Sequence, residues 1–182
     1  FLGNKSLEQL DVLPEKNKPI SLFEVIDFTK TILGKRYLKS ILSNPYANEE
    51  KINFNYNLIS KLLELNISKD IGEFLSDICD LNKLNRRLKL EKIHPFELYN
   101  IYLSIQKILE LVDYIENYKE LNEMLDYKKE NINLLRLFIE YIENTFDLDY
   151  ISSLNFINYK DESFNFIKNK KYTKIAELEE GI

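Results

Sequence analysis

Apolar residues return every three or four positions along most of this chain, and the returns are broken at polar, capping and proline-bearing steps. A short apolar-spaced segment opens it, with Leu2, Leu7, Leu10, Val12 and Leu13, and a polar linker follows over 14–19. Ser21-Leu22-Phe23-Glu24 has the form of a capping box, in which the Ser hydroxyl bonds the amide three residues on and Glu24 reaches back. Leu22, Val25 and Ile26 begin a helical stripe, and a second runs through Ile32, Leu33, Tyr37, Leu38, Ile41 and Leu42 until Asn44-Pro45 stops it. Asn48-Glu49-Glu50 predicts a helix start, with Ile52, Tyr56, Ile59 and Leu63 at helical spacing behind it. Ser68 and Asp70 start a shorter helix carrying Ile71, Phe74, Leu75 and Ile78, and Asp80 caps the next, with Leu81, Leu84 and Leu88 in line.

Pro95 opens the longest predicted helix. Leu98, Ile101, Ile105, Ile108, Val112 and Ile115 are spaced alternately by three and four, a heptad seam that packs against another helix, with Gln106 and Lys107 on the opposite face. A further helix holds Leu134, Leu135, Phe138, Tyr141 and Ile142. Residues 147–158 read as a connection, and a last helix carries Phe164, Ile167, Tyr172, Ile175 and Leu178. No strand-like alternation and no repeat is sustained. The expectation is an all-α chain of about seven helices, an elongated multi-helix bundle dominated by long antiparallel helices.

Composition sharpens this. At 45% hydrophobic and 30% charged residues the chain is globular rather than disordered, and four Gly and four Pro leave little turn chemistry for a sheet protein. No apolar run reaches the roughly 18 residues of a membrane span, and Asn4, Lys5, Glu8 and Asp11 interrupt any signal-peptide core. The chain starts Phe1-Leu2-Gly3 without Met, as expected of a processed product or a segment of a longer protein. Cys79 is alone, so no internal disulfide forms. A net charge of −5 and a pI of about 5.1 argue against a domain that grips nucleic acid by itself.

Catalytic patterns are lacking. Gly3, Gly34, Gly72 and Gly181 are too scattered for a phosphate-cradling loop or a dinucleotide fingerprint. His94 and Cys79 have no ligand-spaced partners; His94 reads as a helix-start residue and Cys79 as packing. Acid pairs such as Glu140 with Glu143 and Glu179 with Glu180 fit solvated helix faces. Two basic clusters, Lys83, Arg86, Arg87, Lys89 and Lys92, then Lys168, Lys170, Lys171 and Lys174, can meet phosphate but also fit solvated faces.

The most specific stretch is 21–45. Asp27, Thr29, Thr31, Gly34, Arg36, Leu38 and Pro45 fall on a pattern of Leu, two residues, Leu-Asp, then Thr-x-Thr-x-x-Gly-x-Arg-x-Leu, and later Pro-Leu, with Tyr46 in place of that last Leu. The pattern resembles the start of the core, or lever, domain of MutS-type DNA mismatch-recognition proteins. Ser6 to Val12 looks like that family's lead-in, Ile52 to Leu63 occupies the place of its next helix, and Asp80-Leu81, Leu84 and Arg87 match its Asp-Leu-x-x-Leu-x-x-Arg segment. Fold maintenance is the role expected of the seven matched residues. Gly34 suits close helix packing, Arg36 suits a bridge to carboxylates or helix-end carbonyls, and Thr29 and Thr31 suit a kink.

The resemblance implies 1–20 as lead-in segment and linker and 21–182 as the first part of a helical lever domain, ending about where a clamp is inserted. It implies a segment that couples DNA clamping to ATPase state, is not itself an enzyme, and has no catalytic, cofactor or metal residues of its own. ATP and Mg belong to the full-length protein. So do a P-loop domain, a mismatch-reading domain with a Phe-x-Glu wedge, and dimerisation. Partners would be the remaining clamp and ATPase domains, and DNA through the full-length protein, with no membrane and an intracellular location where DNA is. Phe138-Ile139-Glu140 spells the wedge by coincidence, since it lies in a helical stripe. The rival expectation is a stand-alone helical interaction module that uses its heptad seam to hold a partner.

Overall fold

A computed structural model describes residues 9–14, 20–125, 127–154, 157, 159 and 160. Leu2 and Leu7 of the opening segment, the linker at 15–19, the cluster at 168–174 and the last helix expected at 164–178 lie outside the described residues. Nine helices are described: α1 Leu22–Ile26, α2 Ile32–Ser43, α3 Glu49–Leu65, α4 Ser68–Ser76, α5 Leu81–Lys89, α6 Pro95–Glu116, α7 Lys119–Met124, α8 Lys129–Thr145 and α9 Leu148–Leu154. Among the described residues the regular structure is all helical, apart from one isolated antiparallel bridge, Phe146 to Tyr159.

The helices start and stop where local chemistry dictates. Ser21 and Glu24 form the reciprocal capping box of α1. Asn48 caps α3 by accepting from the Lys51 amide at 3.0 Å, with Glu49 and Glu50 in the first turn. Asn66, at φ 52°, ends α3 in the left-handed region that Asn tolerates. Ser68 is the first residue of α4, not its cap; that position is Ile67, which lends no side-chain bond. Glu91, at φ 55°, closes α5 as the left-handed residue of a Schellman-type end, with the Lys92 amide donating to the Arg87 carbonyl at 2.9 Å. The His94 carbonyl accepts the Glu97 and Leu98 amides ahead of Pro95.

The chain divides into two compact units, residues 1–83 with 107–127, and residues 84–106 with 128–182. In the first unit, Ile67, Ile115 and Leu121 form a buried cluster, walled by Leu58, Leu62 and Leu65 of α3, Ile71 of α4, Leu111 and Tyr114 of α6, and Tyr118 and Leu125. Lys61 of α3 pairs with Glu120 of α7 beside it. In the second unit the buried residues include Leu84, Ile101, Tyr102, Ser104, Ile105, Ile142 and Ile151. Tyr102 donates to Glu143 at 2.8 Å and accepts from Gln106 at 2.6 Å. Burial first, and the Glu143 carboxylate second, push its phenol up to about 12.

The seam of α6 is its buried side: Ile101, Ile105, Val112 and Ile115 are buried, and Leu98 and Ile108 half-buried. Gln106 and Lys107 are not a free surface. Both are half-buried, Gln106 through its bond to Tyr102 and Lys107 through an ion pair to Glu110 at 2.7 Å. Two helices appear where no period suggested one. α7 has only six residues, and α9 occupies the expected connection, started by Asp147, whose carboxylate accepts the Tyr150 amide at 3.2 Å. No helix among the described residues is long and apolar enough to cross a membrane.

Candidate functional site

The residues singled out at 27–45 build a junction between α1 and α2. Asp27 ends α1; one carboxylate oxygen accepts the Thr29 hydroxyl at 2.5 Å and its amide at 3.3 Å, and the other meets Lys35 at 2.8 Å. Those partners, Lys35 first and Thr29 next, hold the Asp27 carboxyl below its ordinary value. Thr31 is the N-cap of α2, its hydroxyl accepting the Gly34 amide at 2.9 Å. The expected kink is therefore a full break between two helices, because Thr31 withdraws its hydroxyl and backbone from the ladder to cap the second. Gly34 is explained by the same contact. A Cβ there would sit 3.1 Å from the Thr31 oxygen and 3.6 Å from the Thr29 Cβ, so the close approach is to the capping threonines. Pro45 follows Asn44, whose amide bonds the Ser40 carbonyl at 2.9 Å to finish α2. Leu38 is half-buried on α2. Beneath the junction, Phe23 is buried, with the Lys35 and Lys39 ammonium groups 5.5 and 4.9 Å from its ring centre.

Arg36 carries the longest-range contact of the group. Its two terminal nitrogens donate to the two oxygens of Asp80 at 3.0 and 2.6 Å, a fork-to-fork pair spanning 44 residues of sequence. Asp80 is buried to 9% exposure and also accepts the Lys83 amide at 3.2 Å, capping α5. One carboxylate thus fixes the start of α5 and ties it to α2. The spacing of either segment alone does not reveal that they meet. Tyr46 bonds Tyr37 through their hydroxyls at 3.2 Å and lies under Lys51.

The Arg36 guanidinium, ahead of the Lys83 amide, holds the Asp80 carboxyl below the usual carboxylate range. A depressed folded value stabilises above the unfolded value of about 3.9 and is lost as pH falls through the folded one. Arg36→Gln is expected to cost about 1–2 kcal/mol at neutral pH, reduced from a fully buried pair because Arg36 is half exposed. Urea midpoints of wild type and variant should run parallel above the unfolded carboxylate value and converge only as pH falls below it, through the depressed folded value of Asp80. Equal midpoints at neutral pH, or an offset that persists unchanged through acid pH, would show that the pair contributes nothing.

The other candidates are placed as follows. Arg87 donates to the Lys92 carbonyl at 3.0 and 3.3 Å and meets Glu97 at 3.1 Å, locking the turn between α5 and α6. His94 is exposed and serves that turn through its backbone, and Cys79 is half-buried. Phe138-Ile139-Glu140 lies inside α8, with Phe138 and Ile139 half-buried. Among the described residues no three His, Cys, Asp or Glu side chains converge as a metal site.

The chain matches the MutS domain III family over residues 5–180. It is 30% identical over its whole length to a protein of Acanthamoeba polyphaga mimivirus described as a DNA mismatch repair protein mutS homologue. It is 29% identical to the DNA mismatch repair protein MutS of Petrotoga mobilis over 80% of its length, and 31% identical to that of Treponema denticola over 83%. It spans only 16%, 18% and 17% of the length of these three relatives. The all-helical architecture and a match that runs almost from end to end lead to one conclusion: the chain belongs to the MutS domain III family.

Proposed function

We propose that this chain is the lever segment of a MutS-type mismatch-repair ATPase, and that it couples clamping of DNA to the state of a nucleotide site carried elsewhere in the same polypeptide. Residues 21–182 are the lever and 1–20 its lead-in. The clamp and ATPase domains are its partners, DNA is reached through the full-length protein, which acts as a dimer, and ATP and Mg serve the ATPase domain. The segment itself catalyses nothing. Asp27, Thr29, Thr31, Gly34, Arg36, Leu38 and Pro45 maintain the α1–α2 junction and its tie to α5.

The observation that carries this reading is α6. It is an unbroken helix of 22 residues, about 33 Å long at 1.5 Å per residue. Ile101, Ile105, Leu109, Val112 and Ile115 are buried along it. A helix anchored at several turns moves as a rod, and a rod transmits displacement between sites.

The test is made in the full-length polypeptide. Ile105→Ala is expected to weaken DNA stimulation of the ATPase by about fivefold or more, the scale of a typical coupling energy. Affinity for ATP and the basal rate should stay at wild-type values. Full DNA stimulation in a variant shown by urea unfolding to be loosened at this position would sink the lever reading.

A further inference from the structure

Five cations fall between residues 83 and 92, namely Lys83, Arg86, Arg87, Lys89 and Lys92, against one acid, Glu91, in a chain whose net charge is −5. The structure separates them by role. Arg87 is committed to Glu97 and to the Lys92 carbonyl, and Lys83 lies near Asp80. Arg86, Lys89 and Lys92 are exposed, and among the described residues no carboxylate pairs with any of them. They are not needed to finish α5, because the Glu91 and Lys92 amides already bond the Leu88 and Arg87 carbonyls. Lys92 lies past the helix end. Arg86, Arg87 and Lys89 lie in the last turn of α5, where cations complement the helix dipole, whereas Lys83 and Lys92 lie outside that turn and extend the positive surface beyond it.

We propose that Arg86, Lys89 and Lys92 form a contact surface for the phosphate backbone of duplex DNA. The proposal rests on the reading of the chain as part of a DNA-acting protein and adds which residues touch the polyanion. Arg86 and Lys89 are one turn apart on α5, about 4.5 Å along its axis, and their long side chains can spread over successive phosphates. Point charges on phosphate carry no base information, so the contact is indifferent to mismatches and strongly salt-dependent.

The experiment measures binding of this chain to a fluorescein-labelled homoduplex, and to a G·T heteroduplex of equal length, across a salt series. The wild-type chain should bind both equally at low ionic strength. The triple variant R86Q/K89Q/K92Q should bind at least about tenfold more weakly there, with a salt slope shallower by about 0.9 for each phosphate no longer neutralised. A control with the same charge change at exposed sites, K69Q/K128Q/K129Q, should keep the wild-type slope. If the triple variant folds poorly by circular dichroism, K89Q alone should still reduce the slope. Equal slopes for the triple variant and the control overturn the proposal. So does polyglutamate displacing the protein more readily than unlabelled duplex, which would assign the surface to an acidic polypeptide. Absence of duplex binding at low salt overturns it as well, while leaving the lever reading to the ATPase test in the full-length protein.

Discussion

Ile105→Asp is expected to lower the stability of this chain by more than about 4 kcal/mol, enough to unfold a marginal domain. Ile105 lies in the middle of α6 at 7% exposure, two turns or more from either end, so an Asp placed there cannot reach solvent by fraying the helix. Its neighbours along the buried face are Ile101, Tyr102, Ser104 and Leu109. An ionised carboxylate among them is uncompensated, and a neutral one still loses its hydrogen-bond partners. The comparison is Glu110→Gln on the exposed face of the same helix. It loosens only the surface pair with Lys107, and its cost should stay within about 0.5 kcal/mol. Gln106→Ala is a poorer control than the seam pattern suggests. Removing its amide takes a bond from the buried Tyr102 hydroxyl, at about 1 kcal/mol. Urea unfolding of the three variants orders them. An Ile105→Asp midpoint equal to wild type would mean that the seam is not buried, and the rod would lose its anchorage.

The seam of α6 was legible because both of its three-and-four spaced rows point toward burial: Leu98, Ile101 and Ile105 on one, Tyr102 and Leu109 on the next. The other long helices show where such reading stops. On α3 the spacing of Tyr56, Ile59 and Leu63 is helical, yet these three are exposed, and Leu58, Leu62 and Leu65 face the core. On α8, Leu134 and Tyr141 are exposed with Leu137, while Ile142 is buried and Leu135 and Phe138 half-buried. Two apolar rows on one helix have the same period, so periodicity finds the helix and cannot choose the row; tertiary packing chooses it. Caps fared better because they are local. Ser21, Asn48 and Asp80 each bond an amide three residues on, and sequence spacing alone places those partners. The link from Arg36 to Asp80 was not legible as a pair. Each residue stood out in its own segment, but 44 residues separate them, and only the packed chain brings them within bonding distance.

Leu121→Ala is expected to cost about 2–5 kcal/mol, although the helix that carries Leu121 left no periodic signal. α7 has six residues, too few to hold a helix by propensity, so its stability comes from what it packs against. Leu121 is 1% exposed and sits with Ile67 and Ile115 where the loop after α3 and the end of α6 meet. Leu58, Leu62, Leu65 and Ile71 close around the cluster. Truncation to Ala removes three methyl-scale groups and leaves a void that helices anchored at several turns cannot easily collapse to fill. The Lys61–Glu120 pair beside it is largely solvated on the Glu side and screened by water, so it cannot hold α7 once the leucine is gone. Two measurements check this. Urea unfolding should show the lowered midpoint, and amide exchange across Lys119–Met124 should accelerate far more in Leu121→Ala than in Glu120→Gln. Equal exchange in the two variants would show that the ion pair, and not the buried leucine, fixes α7 against the end of α6.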